Sequence, residues 1–302
     1  FFTATWQGRR SSIKILQNNP GSGNTAALEY IRYESSSSRL KATKDILSFP
    51  FSLGDTLLYI GYSDTLQSGM LDSPLESEDY TFQFATNIPC LGTPTVEYEG
   101  QVYNTIQIFS QCWLKENLNV GTMIQGSENM ADNETIEKYC YNNKPDSCTK
   151  YGGLYQWNEM MQYTTQQGAQ GICPPGWHLP TDEEWKVLEG SVDSQYGIGA
   201  PAWDIPYGNR GYDAGTNLKT TSGWNENGNG TDMFSFSGLP GGFRYPSGNF
   251  HDVGNHGFWW SSTEYSDYNA WERWLDYSIS GVSRVLGIYK IGGSGVRCLK
   301  DY

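Results

Sequence analysis

The chain has 302 residues, of which 37% are hydrophobic and 15% aromatic, and its formal net charge is −13 at pH 7. This length exceeds that of most single compact modules and predicts two domains, while the aromatic content indicates a globular chain. The negative charge would be repelled by a phosphate backbone or an anionic membrane surface, so we expect neither as a partner. No apolar run reaches the roughly 18 residues of a membrane-spanning helix, so no transmembrane segment is predicted.

The first residues, Phe-Phe-Thr-Ala-Thr-Trp, contain neither the basic region nor the apolar stretch of a secretory signal. We therefore expect Phe1 to be an internal start, either behind a trimmed signal or lipoprotein leader or within a longer chain. Short segments rich in β-branched and aromatic residues then follow, separated by turn-forming stretches. The predicted strands are residues 3–7, 12–16, 27–33, 55–62 and 80–84. Strands at this spacing predict an all-β sandwich domain over residues 1–87.

The predicted boundary lies near residues 86–92, where the first cysteine, Cys90, enters. Strands are then expected at residues 95–98 and 101–109, joined by Glu99 and Gly100 as a hairpin turn. Two helices are predicted, over residues 155–163 and 181–190. The second has the clearer signal, because Thr181 can act as N-cap and Glu184 can complete a capping box.

After residue 190 the chain is rich in loops until four predicted strands, at residues 259–262, 270–277, 282–289 and 295–300. Along the strand at 270–277, Trp271, Arg273, Leu275 and Tyr277 share one face, and Glu272, Trp274 and Asp276 share the other. Two aromatic faces cannot both lie in the core of a small domain, so we expect some rings to be exposed for recognition. The alternative is that all of them belong to an aromatic-rich core. The candidate ligand-binding residues are Tyr265, Tyr268, Asn269, Trp271, Arg273, Trp274, Asp276, Tyr277, Arg284 and Tyr289.

Three other patterns admit a chemical interpretation beside a structural one. Residues 225–232 carry oxygen ligands at alternate positions, and Asn225, Asn227, Asn229 and Asp232 form a weak calcium candidate; the alternative is a turn that bonds its own backbone. Residues 173–185 combine a cysteine, a histidine and carboxylates, but also fit a fixed turn leading into the capped helix. Glu264, Asp267 and Glu272 are candidate carboxylates for a hydrolase, although surface acids are the common case. We expect no resident cofactor.

Six cysteines, at positions 90, 112, 140, 148, 173 and 298, show no Cys-x-x-Cys spacing, and the chain has only three histidines. These numbers favour disulfides formed in an oxidising compartment over a zinc site. The seven residues between Cys140 and Cys148 make a local bridge plausible.

A series of motifs runs from Cys112 to the end of the chain in a fixed order. These are Gln-Cys-Trp-Leu-Lys-Glu-Asn-Leu (111–118), Cys-Tyr-Asn-Asn (140–143), Tyr-Gly-Gly-Leu-Tyr-Gln-Trp (151–157), Ile-Cys-Pro-Pro-Gly-Trp-His-Leu-Pro (172–180), Leu-Pro-Gly-Gly-Phe-Arg (239–244), Trp-Trp-Ser-Ser-Thr-Glu (259–264) and Val-Arg-Cys-Leu-Lys-Asp (296–301). Together they resemble the Fibrobacter succinogenes major paralogous domain, a bacterial cell-surface module similar to the C-type-lectin-like fold. The resemblance covers about residues 88–302.

This resemblance implies an α+β C-type-lectin-like domain over residues 88–302. It implies a disulfide between Cys173 and Cys298, which leaves Cys90 for Cys112, and it places Trp260 in the core. The calcium-dependent sugar motif of lectins is missing, and the cysteine pair of formylglycine-generating enzymes, which share the fold, has no counterpart beside Cys298. Related bacterial domains are diversified by retroelements, which would make residues 266–294 the variable face.

The sequence therefore predicts a non-enzymatic binding or adhesion protein of the bacterial outer surface, without nucleic acid, that recognises an extracellular glycan or protein. One alternative is a structural or tip component of a surface appendage, with a partner in the cell envelope. A formylglycine-generating-like or hydrolytic enzyme is the other.

Overall fold

The computed structural model describes residues 2–5, 10–18, 25–33, 44–47, 56–63, 66–72, 88–286 and 289–301. The chain divides into two compact units. One holds the residues up to Pro94 together with Gln107–Ser110, and the other holds Thr95–Ile106 and Gln111–Asp301. No helix in these ranges is long and apolar enough to cross a membrane.

The first unit contains six described strands, which are β1 (Phe2–Thr5), β2 (Arg10–Asn18), β3 (Thr25–Tyr33), β4 (Lys44–Leu47), β5 (Thr56–Ser63) and β6 (Leu66–Asp72). Four of these strands form one antiparallel sheet in the order β3-β2-β5-β6. The other two, β1 and β4, pair with each other. Four of the five predicted strands overlap β1, β2, β3 and β5; β4 and β6 were not predicted. The strand predicted at residues 80–84 lies outside the described residues.

The second unit begins with the hairpin of β7 (Thr95–Tyr98) and β8 (Gln101–Ile108), of which the last two residues of β8 are counted with the first unit. Tyr98 pairs with Gln101, and the two turn residues, Glu99 and Gly100, have φ of 48° and 71°. Left-handed conformation at both central positions is the geometry that matches strand twist in a two-residue hairpin, so the predicted turn is confirmed.

Two larger sheets form the body of this unit. Its remaining strands are β9 (Gln111–Leu114), β10 (Thr122–Met123), β11 (Glu137–Lys138), β12 (Trp177–His178), β13 (Gly208–Arg210), β14 (Gly241–Arg244), β15 (Phe250–Val253), β16 (His256–Glu264), β17 (Ala270–Asp276), β18 (Val282–Leu286) and β19 (Leu299–Lys300). One sheet has the order β12-β19-β9-β8-β7, and the other has the order β13-β18-β17-β16-β14-β15. Strands β17 and β18 of the second sheet carry five of the ten predicted ligand-binding residues, which are Trp271, Arg273, Trp274, Asp276 and Arg284.

The described residues contain four α-helices, which are α1 (Pro145–Tyr151), α2 (Trp157–Met160), α3 (Asp182–Val192) and α4 (Ala214–Leu218). In α3 the predicted capping box is present, since the Glu184 amide donates to Thr181 Oγ1 (3.2 Å) and the Thr181 amide donates to Glu184 Oε2 (2.8 Å). The helix predicted over residues 155–163 is shorter than expected, because Gln162 and Tyr163 adopt φ of 50° and 58°. That left-handed backbone cannot continue a right-handed helix.

Aromatic side chains dominate the core of the second unit. Trp113 lies 5.0 Å from Trp185 between ring centroids, and Phe236 contacts Trp113 and Trp259 edge-on at 5.9 and 6.1 Å. Trp260 is also buried, as expected, and its Nε1 donates to the Tyr155 carbonyl at 2.8 Å. Indoles of this size bury large apolar areas and therefore account for much of the stability of this loop-rich unit.

All six cysteines are disulfide-bonded, which makes three bridges. Cys140 bonds Cys148, as the spacing suggested, and Cys173 bonds Cys298 across 125 residues of sequence, as the family resemblance implied. The second of these fixes the segment before β12 to the segment before β19, at one end of the five-stranded sheet. Both sulfurs of this bridge are fully buried.

Candidate ligand-binding surface

The ten residues predicted to bind a ligand differ widely in solvent exposure. The exposed ones, at 55%, 72% and 56%, are Tyr265, Tyr268 and Tyr289. The half-buried ones are Asn269, Trp274, Asp276 and Tyr277. The buried ones are Trp271, Arg273 and Arg284. The structure therefore divides one predicted surface into a buried part and two accessible parts.

The buried part is an ion-pair network between the six-stranded sheet and α3. Arg273 of β17 donates from Nη1 to Asp182 at 2.7 Å and from Nε to Glu189, both on α3. Arg284 of β18 donates to Asp182 at 2.6 Å, and Arg210 of β13 donates to Glu189 at 2.5 Å. These five residues form what we call the buried arginine network. Its guanidinium groups are already engaged by carboxylates, so Arg273 and Arg284 hold the fold rather than present donors at the surface.

The charge state of this network follows from the same contacts. Burial by itself would raise the pKa of Asp182, but Arg273 and Arg284 outweigh it and lower the pKa to about 2. Burial by itself would lower the pKa of Arg273. The carboxylates of Glu189 and Asp182 more than offset this effect, so the pKa of Arg273 is raised. Both partners therefore stay ionised across the physiological pH range.

Three exposed tyrosines form a first accessible part, which we call the tyrosine patch (Tyr265, Tyr268 and Tyr289). The Lys290 amide donates to the Tyr268 carbonyl at 2.9 Å, which holds the β16–β17 turn against the segment after β18. Beneath the patch, the Tyr265 ring meets Trp271 edge-on at 5.2 Å. The Arg284 guanidinium lies 3.4 Å from the Trp271 ring centroid, and this cation–π contact stabilises the position of the indole.

A second accessible part is a continuous line of rings across β15, β14, β16 and β17. We call it the aromatic row, and its members are Phe243, Tyr245, His251, His256, Phe258, Trp274 and Tyr277. Phe258 stacks on Trp274 with centroids 5.3 Å apart and planes within 27°, and Phe243 lies 4.8 Å from Phe258. Each member is half-buried or exposed, so the rings are fixed by one another while part of each surface remains open to solvent.

The register of the sheet explains the position of this row. Phe258 pairs with Trp274, and His256 pairs with Asp276, so their side chains project from the same side of neighbouring strands. The opposite face of β17, with Trp271, Arg273 and Leu275, is buried. The expectation that one face of this strand would carry accessible rings agrees with this arrangement, although Tyr277 lies beyond the strand and its ring contacts His256 rather than continuing the Trp271 face.

Polar groups border the aromatic row at its β17 end. His256 Nε2 lies 3.1 Å from Asp276 Oδ2, and the amide and hydroxyl of Ser278 donate to Asp276 Oδ1 at 2.6 and 2.8 Å. Burial would raise the pKa of Asp276, but these donors and His256 outweigh it and lower that pKa. Asp276 thus stays charged at the edge of the aromatic row, with its two oxygens engaged by Ser278 and His256.

The family model of the Fibrobacter succinogenes major domain matches residues 106–300. The chain belongs to this family. Searches of curated proteins and of solved structures find no significant match. The Fibrobacter major domain contains both accessible surfaces, which are the tyrosine patch and the aromatic row. It also contains the buried arginine network and the Cys173–Cys298 bridge.

The other residues singled out from the sequence have structural partners in this domain. Cys173 is in its disulfide, and His178 lies between Asp301 (2.6 Å) and Glu184 (3.0 Å). Of the three candidate carboxylates, Glu264 pairs with Lys290, Asp267 is exposed, and Glu272 is buried with Ser294 as hydrogen-bond donor. These three carboxyl groups thus have different surroundings rather than a shared one.

In the calcium candidate at residues 225–232, the side chains form hydrogen bonds with neighbouring loop residues. Asn229 Oδ1 accepts from the Trp224 amide at 3.0 Å, and Asp232 accepts from the Ser237 amide and hydroxyl at 2.7 and 2.8 Å. Asn225 donates to Asn255 at 2.9 Å. In the part of the chain that the structure describes, no group of three or more His, Cys, Asp or Glu side chains could hold a metal ion.

Sequence reasoning missed several members of the aromatic row. Phe243 and Tyr245 lie in the part of the chain after residue 190 that was predicted to be rich in loops, yet residues 241–244 form β14. Gly242 explains the difference: its φ is +66°, and a Cβ there would lie 2.3 Å from the His251 carbonyl oxygen. Glycine at position 242 therefore allows β14 and β15 to lie close together. The signal that could have found this strand is the alternation of Phe243 and Tyr245 themselves.

Proposed function

We propose that this protein is a non-enzymatic recognition or adhesion protein of the bacterial outer surface, and that it binds a glycan on the aromatic row. The observation that carries the proposal is the line of seven partly exposed rings across four adjacent strands, held by ring contacts of 4.8 and 5.3 Å at its centre. Flat rings fixed in advance stack on the apolar faces of sugars with little loss of side-chain entropy.

The fold supports an extracellular setting for this activity. Three disulfides in one chain are typical of oxidising compartments. We infer a C-type-lectin-like fold for the second unit, since a long-range bridge joins the region before α3 to the segment before the last strand, and the strands β16, β17 and β18 pair consecutively. For the first unit, two groups of antiparallel strands support a β-sandwich.

A glycan array probed with the full chain, with and without calcium, tests the proposal. We expect binding that does not need calcium, because the loop oxygens at Asn229 and Asp232 already accept local hydrogen bonds. Replacing Trp274 or Tyr245 by alanine should weaken binding by roughly tenfold, the effect of losing one good stacking contact. Tyr212→Ala is the matched control, since Tyr212 is 58% exposed but lies outside the row.

The result that would overturn the proposal is a folded Tyr245→Ala variant with unchanged binding to every glycan that the parent protein binds. Complete failure of the array at high protein concentration would do the same. Because Tyr245 is 45% exposed, this substitution tests the surface without the packing loss expected at Trp274.

A second candidate function is recognition of a protein, and the tyrosine patch favours it. Tyrosine is enriched in protein interfaces because it offers a large rigid surface with one polar end. The whole chain has a further alternative role, as a structural component of a surface appendage. In that role, the sheet of the first unit would contact the neighbouring subunit. Among the described strands, β3 and β6 end that sheet, and end strands can pair with a neighbouring chain.

A further inference from the structure

A cleft of about 350 Å³ lies in the second unit and shares no residue with the aromatic row or the tyrosine patch. It is formed by the start of β8, the segment after β9, the end of α1 and the loop before β14. Its volume is at the lower end of the range for small-molecule sites, which suits a ligand the size of one sugar residue.

The charges around this cleft are unbalanced. Three cationic side chains line it, Lys115, Lys150 and Arg297, against a single carboxylate, Glu116. Both oxygens of Glu116 are already occupied, since the Asn104 amide and side-chain Nδ2 donate to them at 2.8 Å each. Although the chain has a net charge of −13, the residues that line this cleft include two more cations than anions.

Arg297 is the innermost of these cations and is 1% exposed. It donates to neutral acceptors, namely Asn117 Oδ1 at 2.7 Å, the Phe236 carbonyl at 2.7 Å and the Leu114 carbonyl at 3.1 Å. Burial lowers the pKa of Arg297 to about 10, and the more distant Glu116 and Asp232 oppose that shift only in part. A buried guanidinium without a carboxylate at contact distance is costly in a folded protein, and an anion in the cleft would reduce that cost.

The two lysines are available at the mouth of the cleft. Within the described ranges, neither Lys115 nor Lys150 has an ion pair or a side-chain hydrogen bond, and the Lys150 ammonium lies 4.7 Å from the Tyr151 ring centroid. Hydroxyl and amide side chains complete the lining, among them Thr149 and Gln101, both exposed. Such groups match a ligand that carries hydroxyls as well as a charge.

We propose that this cleft binds a small sugar acid, with its carboxylate facing Lys115, Lys150 and Arg297 and its hydroxyls facing the polar rim. The site is independent of glycan binding on the aromatic row, because the two involve different side chains.

Calorimetric titration of the full chain with galacturonate, galactose and acetate tests this proposal. We expect galacturonate to bind at least roughly tenfold more tightly than either galactose or acetate, because only it carries both charge and hydroxyls. Added sodium chloride should weaken the binding. Lys115→Gln and Lys150→Gln should each weaken it several-fold, while Lys144→Gln, an exposed lysine outside the cleft, should leave it unchanged.

Equal affinity for galactose would show that charge does not select the ligand, and equal affinity for acetate would show that the sugar ring is not recognised; either result overturns the proposal. So would an absence of galacturonate binding at tens of millimolar. Trp274→Ala should bind galacturonate like the parent protein, so that failure of the aromatic row as a glycan site remains distinguishable from failure of this cleft.

Discussion

Arg273 of β17 and Asp182 at the start of α3 are joined by a 2.7 Å ion pair although 91 residues separate them in sequence. This contact attaches the longest helix of the second unit to its six-stranded sheet. Because both residues are buried, loss of one partner leaves the other charge in an apolar environment.

Replacing Arg273 by methionine should therefore destabilise the second unit by about 3–5 kcal/mol, because Glu189 and Asp182 each lose a guanidinium donor. Urea unfolding followed by tryptophan fluorescence measures this change. The control is Lys186→Met, which removes ion pairs to the exposed side chains of Glu183 and Asp204 and should cost less than about 1 kcal/mol. Equal effects of the two substitutions would contradict a structural role for the buried arginine network.

Asp182 predicts an acid-dependent loss of stability. Its pKa falls from an ordinary 3.8 to about 2 in the folded state, so the folded protein keeps this carboxylate charged where the unfolded chain takes up a proton. The resulting stability is present above about pH 4 and is lost as the pH falls towards 2. Thermal melts between pH 5 and 2 should show a melting temperature that falls with pH, and this fall should be smaller in Asp182→Asn. An unchanged slope would show that other carboxyl groups control acid unfolding.

Glu272 predicts the opposite dependence. Burial raises its pKa from 4.5 to about 8, only partly opposed by the Ser294 hydroxyl, so the folded state holds a proton that the unfolded chain releases. Stability should therefore fall as the pH rises from about 4.5 to 8. Glu272→Gln, which is neutral at every pH, should flatten the decline and melt at a higher temperature than the parent protein at pH 8. A variant that melts lower at pH 8 would argue against a neutral Glu272.

The disulfides Cys173–Cys298 and Cys140–Cys148 should differ in their contribution to stability. Under the chain-entropy account, a bridge closing 125 residues is worth about 5 kcal/mol, and one closing 8 residues about half as much. Paired serine replacement at Cys173 and Cys298 should therefore lower the melting temperature of the second unit more than replacement at Cys140 and Cys148. The reverse order, measured by differential scanning calorimetry, would be inconsistent with this account.

Tyr268 and Trp271 differ in burial and should respond differently to truncation. Tyr268→Ala removes a ring that is 72% exposed, so the melting temperature should change little. Trp271→Ala removes a 9% exposed indole that packs between Tyr265 and Arg284, and a cost of about 3–5 kcal/mol is expected. If the tyrosine patch binds a protein, pull-down of that protein should fail with Tyr268→Ala although the variant is folded.

Local signals in the sequence were sufficient for several elements of the fold. The capping residues Thr181 and Glu184 located α3, and alternating apolar residues located β16, β17 and β18, because both patterns depend on near neighbours. The end of α2 at Met160 had no such signal, since the left-handed backbone at Gln162 and Tyr163 is imposed by the surroundings. The predicted domain limits, 1–87 and 88–302, stay predictions.

The candidate surface was predictable only in part, for a related reason. Alternation along β17 separates two faces, but it does not reveal which face another element covers. Arg273 and Arg284 were predicted to contact a ligand because they lie among the aromatic residues of the segment 251–290. Their actual partner, Asp182, is contributed by a helix far away in sequence. Similarly, Tyr245 and His251 join the aromatic row only through the pairing of β14 with β15, which no local pattern indicates.

The position of β19 has a consequence for biosynthesis. This strand lies between β12 and β9, so β12 is not joined to the rest of the five-stranded sheet until Leu299 and Lys300 leave the ribosome. Nascent chains that stop short of them would expose two unpaired strand edges and a reduced Cys173, and such species are recognised by proteases and chaperones. Strand β19 thus joins this sheet only after the other four strands have been synthesised.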